Sequence, residues 1–363
     1  MIGGFLGAGK TTALARLARF LNQKGLRVGL VTNDQGRELV DTTWLRAGGF
    51  HTEEISGGCF CCRFDALISA AGRLRVDFQP DVYLAEPVGS CTDIVASVAN
   101  PLRRLHAREF HTAPVSVMVD PRRALEALGL RDGNGFSEKV RYIYLKQLEE
   151  ADLIVVGKSD LLSPSAKAEL CGALEARFPA AGIWTVSSRT GENLENWFTH
   201  LLGDAPATRP LMEVDYAIYA DGEALLGWFN AKIQMHSAQA FDVNTFLLDL
   251  ACEIRQRLAS RKAEIAHLKM TFAPEPQIWG PALLNLVGGS VEPELARRLE
   301  EPVSAGKLIL NLRAETDPAR LREAVEGAVA QAMERFPGLT ADWRHLECFK
   351  PGKPQPTHRL AAS

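Results

Sequence analysis

Eight consecutive residues near the start of the chain, Gly4-Phe5-Leu6-Gly7-Ala8-Gly9-Lys10-Thr11, fit the pattern GxxxxGK[ST]. Each residue type in that pattern has a task on a polyphosphate. Glycines let the backbone wrap so that its N–H groups point inward, the lysine reaches the β and γ phosphates, and the threonine hydroxyl ligates Mg²⁺. Gly4, Gly7, Ala8, Gly9, Lys10, Thr11 and Thr12 are therefore the expected phosphate contacts, and a helix beginning at Thr12 adds its positive N-terminal end. A glycine-rich turn without nucleotide is the bland alternative. Leu14, Leu17, Ala18 and Leu21 argue against it, because they give the following helix the apolar face that anchors such a loop.

A second group is denser still. Cys59, Cys61 and Cys62 fall within four positions, and three thiolates suit a soft or borderline divalent ion such as Zn²⁺ or Co²⁺, with a fourth position left for water, a side chain or a client ligand. Neighbouring cysteines serve one ion only where the backbone turns sharply, which Gly57-Gly58 permits. Three buried or redox-active thiols remain the alternative. Cys91, Cys171, Cys252 and Cys348 are scattered singly and read as small buried apolar residues. The eight histidines are isolated and read as structural or surface residues; His51 is the one to watch, because it lies near the cluster in sequence.

Lys158-Ser159-Asp160 follows an apolar run and looks like the Asn-Lys-x-Asp element with which GTPases read guanine. In that reading Asp160 accepts hydrogen bonds from guanine N1 and N2, which adenine does not offer, while the Lys158 stem covers the base. Downstream, Ser187 and Ser188 open a segment resembling the Ser-Ala-Lys loop that closes over the base. Glu86 ends the apolar run Val82-Tyr83-Leu84-Ala85, where a carboxylate binds Mg²⁺ through water or orients the attacking water; a strand-end surface charge is the alternative. Asp34 is a further candidate, for sensing the γ-phosphate.

Positioning these groups requires a mostly parallel α/β sheet. Short apolar runs at 27–32, 81–85, 115–120, 153–157 and 183–187 alternate with helical patterns, notably 12–23 and 137–150, so residues 1–203 read as a P-loop NTPase domain. Only three residues precede Gly4, short of a strand, so the translation start is expected upstream. Residues 204–214 read as a linker and 215–349 as a smaller α+β domain in the order β-α-β-β-α-β, ferredoxin-like, with 273–303 inserted. Residues 350–363, with three prolines and little to bury, are expected to be disordered. The 363 residues carry 41 basic and 44 acidic side chains, net −3, so no nucleic-acid or anionic-membrane partner is called for. The expected location is cytoplasmic, since no apolar run is long enough to span a bilayer and seven cysteines do not form a secreted framework.

The segment from Gly3 to Thr12, the Cys59-x-Cys61-Cys62 cluster, Glu86-Pro87-Val88-Gly89, Gln147-Leu148 with Ala151-Asp152, and the base loops together resemble the CobW-type metal-chaperone GTPases, relatives of HypB and UreG, over residues 1–203. The resemblance implies GTP and Mg²⁺ as cofactors and metal at the cysteines. It also implies coupling through the intervening switch segments and a second domain that helps choose a metal-requiring client, for instance a cobalamin-related enzyme; a homodimer is compatible with it. Gly57 and Gly157 stand where the family usually has asparagine, and there is no histidine-rich tract. Two other functions use the same residues: a P-loop small-molecule kinase or ligase, and a metal buffer stabilised by nucleotide without turnover.

Overall fold

The computed structural model describes all residues except 37–38, 133–134, 204–210, 277–279, 290 and 361–363. The elements, in chain order, are β1 (Ile2–Gly3), α1 (Lys10–Gln23), β2 (Val28–Asn33), α2 (Val40–Ala47), β3 (His51–Ile55), α3 (Phe64–Asp77), β4 (Val82–Glu86), α4 (Asn100–Leu105), β5 (Ser116–Val119), α5 (Pro121–Ala127), α6 (Glu138–Glu150), β6 (Leu153–Val156), α7 (Pro164–Arg177), β7 (Gly182–Thr185), α8 (Leu194–Gly203) and α9 (Tyr216–Leu225). There follow β8 (Leu226–Phe241), α10 (Val243–Ala259), β9 (Ile265–Pro274), β10 (Ala282–Leu286), β11 (Glu294–Arg297), β12 (Val303–Glu315), α11 (Pro318–Glu334) and β13 (Leu339–Phe349). None of the described helices is long and apolar enough to cross a membrane.

The chain divides into two units. The first comprises Met1–Gln35, Phe50–Gly222 and Lys353–Ser363; the second comprises Gly36–Gly49 and Glu223–Gly352. The first unit is the expected α/β layer, and every strand pairing in it is parallel: β3-β2-β4 form one hydrogen-bonded set and β1-β5-β6-β7 another, with β1 beside β4. Strands such as Leu153–Val156 are buried along their whole length, as parallel strands covered by helices on both faces must be. β1 has two residues, pairing Ile2 with Ser116 and Gly3 with Val117.

The second unit is a six-stranded antiparallel sheet of order β11-β10-β9-β12-β8-β13. Its four inner and C-terminal strands with α10 and α11 realise the expected β-α-β-β-α-β order, and the insertion supplies the hairpin β10–β11 that extends one edge. Phe246, Leu250, Ile254 and Leu258 of α10 are fully buried, each contributing about 1.5–3 kcal/mol of hydrophobic stabilisation. Asp242 and Asp317 cap α10 and α11 as their positions predict, accepting from the Asn244 amide at 2.8 Å and the Ala319 amide at 2.9 Å.

Three boundaries differ from the sequence reading. The first unit runs on to Gly222, past 203, because Tyr219 is buried in it and Tyr216 bonds to Asp93; of the expected 204–214 linker, 204–210 lie outside the described residues. The segment Gly36–Gly49, with α2, belongs to the second unit: the Val40 amide donates to Asn311 Oδ1 at 2.8 Å and Asp41 pairs with Lys269. Residues 353–360, expected to be disordered, lie along the first unit, and six backbone and side-chain bonds described below explain why they stay there.

Candidate nucleotide and metal site

The phosphate loop takes its shape from glycine. Gly4, Gly7 and Gly9 have φ of 126°, 81° and 94°, and a Cβ at Gly4 would lie 2.1 Å from the Met118 carbonyl oxygen of β5. The Ala8 amide closes the turn on the Phe5 carbonyl at 3.2 Å. Helix α1 starts at Lys10 itself, two residues before the expected Thr12, so the loop feeds directly into the helix N-terminus; Thr12 is exposed. Lys10 and Thr11 are buried. The Lys10 ammonium donates to the Gly4 carbonyl at 2.8 Å and lies 4.0 Å from Glu86 Oε1, to which the Thr11 hydroxyl donates at 3.0 Å. Lys10, Thr11 and Glu86 are therefore brought together as the sequence reading requires, a hydroxyl and a carboxylate side by side at the loop. This hard-oxygen donor pair fits Mg²⁺.

The two base-reading loops also meet. The Ser187 hydroxyl donates to Asp160 Oδ1 at 2.6 Å, and Arg189 stands 3.8 Å from the other oxygen. Ser188 occupies the same turn, half-buried. Lys158 adopts a left-handed conformation at φ 50°, and its ammonium donates to Asp120 Oδ2 at 2.7 Å and to the Gly7 carbonyl at 3.2 Å. This ties the base loop to the phosphate loop, the bracing task that asparagine at position 157 would otherwise share. A Cβ at Gly157 would come within 3.2 Å of the Ala8 carbonyl oxygen, so the two loops approach closely because the residue is glycine.

Asp120 was missed in the sequence. It ends β5 and caps α5 through the amides of Arg122 and Arg123, at 3.1 and 3.3 Å, and the Asp-Pro pair that marks Asp317 as a cap marks it equally. Burial alone would raise its carboxyl, but the Lys158 ammonium, with Arg123, outweighs burial and holds it below the usual carboxylate range.

At the cysteine loop the sulfurs of Cys59, Cys61 and Cys62 lie within 4.8 Å of one another. The separations are 2.7 Å for Cys59–Cys61, 3.2 Å for Cys59–Cys62 and 3.7 Å for Cys61–Cys62. The turn that gathers them follows Gly57 and Gly58, at φ 78° and 151°, and closes when the amides of Cys62 and Arg63 donate to the Cys59 carbonyl at 3.1 and 2.9 Å. Asn33, at the end of β2, fixes the loop. Its amide group donates to the carbonyls of Ile55 (3.0 Å) and Gly58 (2.7 Å), and its oxygen accepts from the Phe60 amide at 2.8 Å.

Residues 353–360 cross the same loop. The Thr357 amide donates to the Cys61 carbonyl at 2.8 Å and the Gln355 amide to Cys62 Sγ at 3.2 Å. Arg359 pairs with buried Asp93 at 2.8 Å and also donates to the Met212 carbonyl at 2.8 Å. Leu360 bonds through its amide to Ala96 and through its carbonyl to Asn100. His358 packs edge-on against Phe64, 5.0 Å between ring centroids.

Hydrogen bonding to Cys59, then to Cys62 and Cys91, and then burial push the Cys61 thiol well above its ordinary range. The Cys62 thiol is raised chiefly by its bond to Cys59, while the Gln355 amide works the other way. Ion binding must therefore displace protons from thiols that this environment keeps neutral.

Other expectations move. His51 lies at the opposite end of β3 from the cysteine loop, about 13 Å along the strand at 3.3 Å per residue, and stacks on Phe78 with centroids 3.7 Å apart; it is structural. Cys171, Cys252 and Cys348 are half-buried, not buried as expected. Asp34 follows β2, its amide donating to the Ile55 carbonyl at 3.1 Å, at the point where the chain leaves the first unit.

Residues 1–181 match the CobW/HypB/UreG nucleotide-binding domain. The chain belongs to this family. Among solved structures, the HypB hydrogenase maturation factor of Archaeoglobus fulgidus aligns at 20% identity over 56% of this chain and 87% of its own, with a TM-score of 0.39. HypB from Helicobacter pylori, in complex with nickel, aligns at 20% identity over 55% of this chain and 83% of its own, TM-score 0.40. The Zn(II)-bound YjiA GTPase from E. coli aligns at 16% identity over 90% and 97%, TM-score 0.38. No curated protein matches the chain. The phosphate loop, Asn33, the cysteine loop, Glu86, Cys91, Asp93 and the Lys158–Asp160 segment all fall inside the matched span, Ser187 and Ser188 lie just past its end, and residues 353–360 lie far beyond it.

Proposed function

We propose that this CobW/HypB/UreG protein is a GTP-hydrolysing metallochaperone that binds one divalent ion of the zinc or cobalt class at Cys59, Cys61 and Cys62. Turnover of GTP gates delivery of that ion to a metal-requiring client in the cytoplasm. The observation that carries the reading is the gathering of three thiols within 4.8 Å, in the same unit as the phosphate loop. Three sulfurs so placed suit a borderline ion better than Mg²⁺ or Ca²⁺, which take oxygen ligands.

In this mechanism the loop amides of residues 7–11 and the Lys10 ammonium hold the phosphates, and Thr11 and Glu86 hold Mg²⁺. Thr11 and Glu86 would hold that ion beside the phosphate loop, where it would supply positive charge to the phosphates. Asp160 accepts from guanine, positioned by the Ser187 hydroxyl, and Lys158 keeps the base loop against the phosphate loop. The metal ion is cargo: each thiol that ligates it gives up its proton to solvent.

A competition titration of Zn²⁺ and Co²⁺ tests the reading, performed with Mg²⁺-GDP and with a non-hydrolysable GTP analogue. The expected difference in metal affinity is about 5–150-fold, and linkage requires metal to shift the GTP-to-GDP preference by the same factor. Equal affinities in both nucleotide states would leave a metal-binding GTPase without a delivery cycle. Metal binding without any phosphate release would make the protein a buffer.

A further inference from the structure

Cys91 reads as a packing residue in the sequence, yet its sulfur does not end among hydrocarbon. It is fully buried and stands 3.5 Å from Cys61 Sγ. Four sulfurs held tetrahedrally by one ion at about 2.3 Å lie about 3.8 Å apart; the Cys61–Cys91 and Cys61–Cys62 separations, 3.5 and 3.7 Å, are close to two edges of that figure, whereas Cys59 stands closer, 2.7 and 3.2 Å from Cys61 and Cys62, and Cys91 approaches the set through Cys61, outside the group of three whose sulfurs all lie within 4.8 Å of one another.

The backbone that carries Cys91 leads straight to the phosphate loop. The Cys91 amide donates to the Val88 carbonyl at 3.0 Å, making one tight turn with Gly89 inside it. A Cβ at Gly89 would lie 2.8 Å from Leu6 Cδ2 and 3.0 Å from the Leu6 amide nitrogen, so this turn rests directly on the phosphate loop. Gln147, buried, clamps both ends of the short stretch by donating to the Gly89 carbonyl at 2.9 Å and the Cys91 carbonyl at 2.8 Å. Three residues before Gly89, Glu86 accepts from Thr11. One hydrogen-bonded stretch thus touches the nucleotide loop at one end and a thiol of the cluster at the other.

We infer that Cys91 is the fourth thiolate of the metal site, closing the Cys59, Cys61 and Cys62 set into an all-sulfur site, and that the turn at residues 88–91 makes this fourth bond depend on the bound nucleotide. The inference rests on the metallochaperone reading above. Loading is balanced by loss of four protons, one from each thiol, and gives a site of net charge −2 around a divalent ion. When the turn withdraws Cys91, its sulfur leaves the ion and takes up one proton, and a coordination position opens to a client's ligand. A closed four-thiolate site holds its ion; a three-ligand site with an open position exchanges it.

The test is the number of sulfurs around Co²⁺ by X-ray absorption, with the thiolate-to-cobalt charge-transfer band as a second readout. The full-length protein is loaded anaerobically with one equivalent of Co²⁺ in the presence of Mg²⁺-GDP and, separately, of a non-hydrolysable GTP analogue. Four sulfurs are expected in one of the two nucleotide states and three in the other. Cys91→Ala should still bind one ion, with three sulfurs in both states and at least 10-fold weaker affinity where the wild type has four. Three sulfurs in the wild type in both states, or an unchanged sulfur count in Cys91→Ala, overturns the inference. If Cys91→Ala does not fold, the wild-type sulfur counts decide alone. A variant with Cys59→Ser, Cys61→Ser and Cys62→Ser separates the two levels. If it keeps the ion, the metallochaperone reading itself falls; if it loses the ion while Cys91→Ala matches the wild type, only the role of Cys91 falls.

Discussion

The phosphate loop and the cysteine loop belong to the same α/β unit but take their shape from different distances along the chain. In the phosphate loop Lys10 bonds to carbonyls five and six residues away and glycine φ angles bend the backbone, with Lys158 and Glu86 bracing the loop from further along the chain. The cysteine loop is held by Asn33, 27 residues before Phe60, by Cys91, 30 residues after Cys61, and by Gln355, 293 residues after Cys62. A loop shaped by remote partners forms only when the whole unit has folded, and each partner is a point at which it can be loosened.

The largest effect that would sharpen this contrast is expected at Lys10. Lys10→Ala removes a charge-assisted donor without touching the apolar core, so GTP hydrolysis should fall about 100- to 1,000-fold. Thermal unfolding should shift little and cobalt binding at the cysteines should survive. Wild-type turnover in the variant, read by phosphate release, would refute the role of the phosphate loop.

Next is Asn33. Asn33→Ala deletes three hydrogen bonds and leaves the Ile55 and Gly58 carbonyls and the Phe60 amide without that partner, a loss of roughly 2–3 kcal/mol in stability at about 1 kcal/mol each. Chemical denaturation measures this, and metal affinity should fall with it while nucleotide affinity changes less. Equal losses in both would show that the two loops are not separately supported.

A third effect is pH-dependent. Glu150 accepts from the Val95 amide at 2.9 Å and the Thr92 hydroxyl at 3.4 Å, fixing the chain just after Cys91. Full burial raises its carboxyl from 4.5 to about 8. The folded protein therefore keeps a proton that the unfolded chain releases, so this contribution is complete below about pH 4.5 and is lost as pH rises toward 8. Between roughly pH 6 and 7.5 the loss should be about 2 kcal/mol. Glu150→Gln, neutral throughout, should flatten that slope in denaturant melts; a variant with the wild-type slope would rule Glu150 out as its source.

The smallest effect is expected at Asp120. Asp120→Asn keeps a capping side chain for α5 but removes the charge facing Lys158, whose side chain is 34% exposed. The expected cost is about 0.5–1 kcal/mol in nucleotide affinity, or roughly 2- to 5-fold, and should shrink with added salt. Isothermal titration at two salt concentrations measures it. No change at low salt would show that Gly7 alone secures Lys158.

The same contrast explains what was legible in the sequence. The phosphate loop, Glu86 and the base loops are spacing patterns tied to backbone geometry, and the second unit's strands and caps follow period and chemistry close in sequence. Asn33 carried no signal in the sequence, because nothing near it states that three of its bonds lie across the cysteine loop. Cys91 looked like a packing residue for the same reason. Proline-rich composition at 350–363 pointed to disorder, but composition weighs burial and misses backbone bonds such as Thr357 to Cys61. The placement of Gly36–Gly49 with the second unit depends on Asn311 and Lys269, more than 200 residues away, and no local pattern carries it.

The strap formed by residues 353–360 also sets a clock on biosynthesis. A ribosome adding about 5–20 residues per second needs roughly 15–60 s to travel the 293 residues from Cys62 to Gln355. During that interval the nascent chain carries the three cysteines before the segment that crosses them exists. An oxidant or stray metal ion that reaches the emerging chain meets thiols without that cover, so the vulnerable period of this site is its first minute.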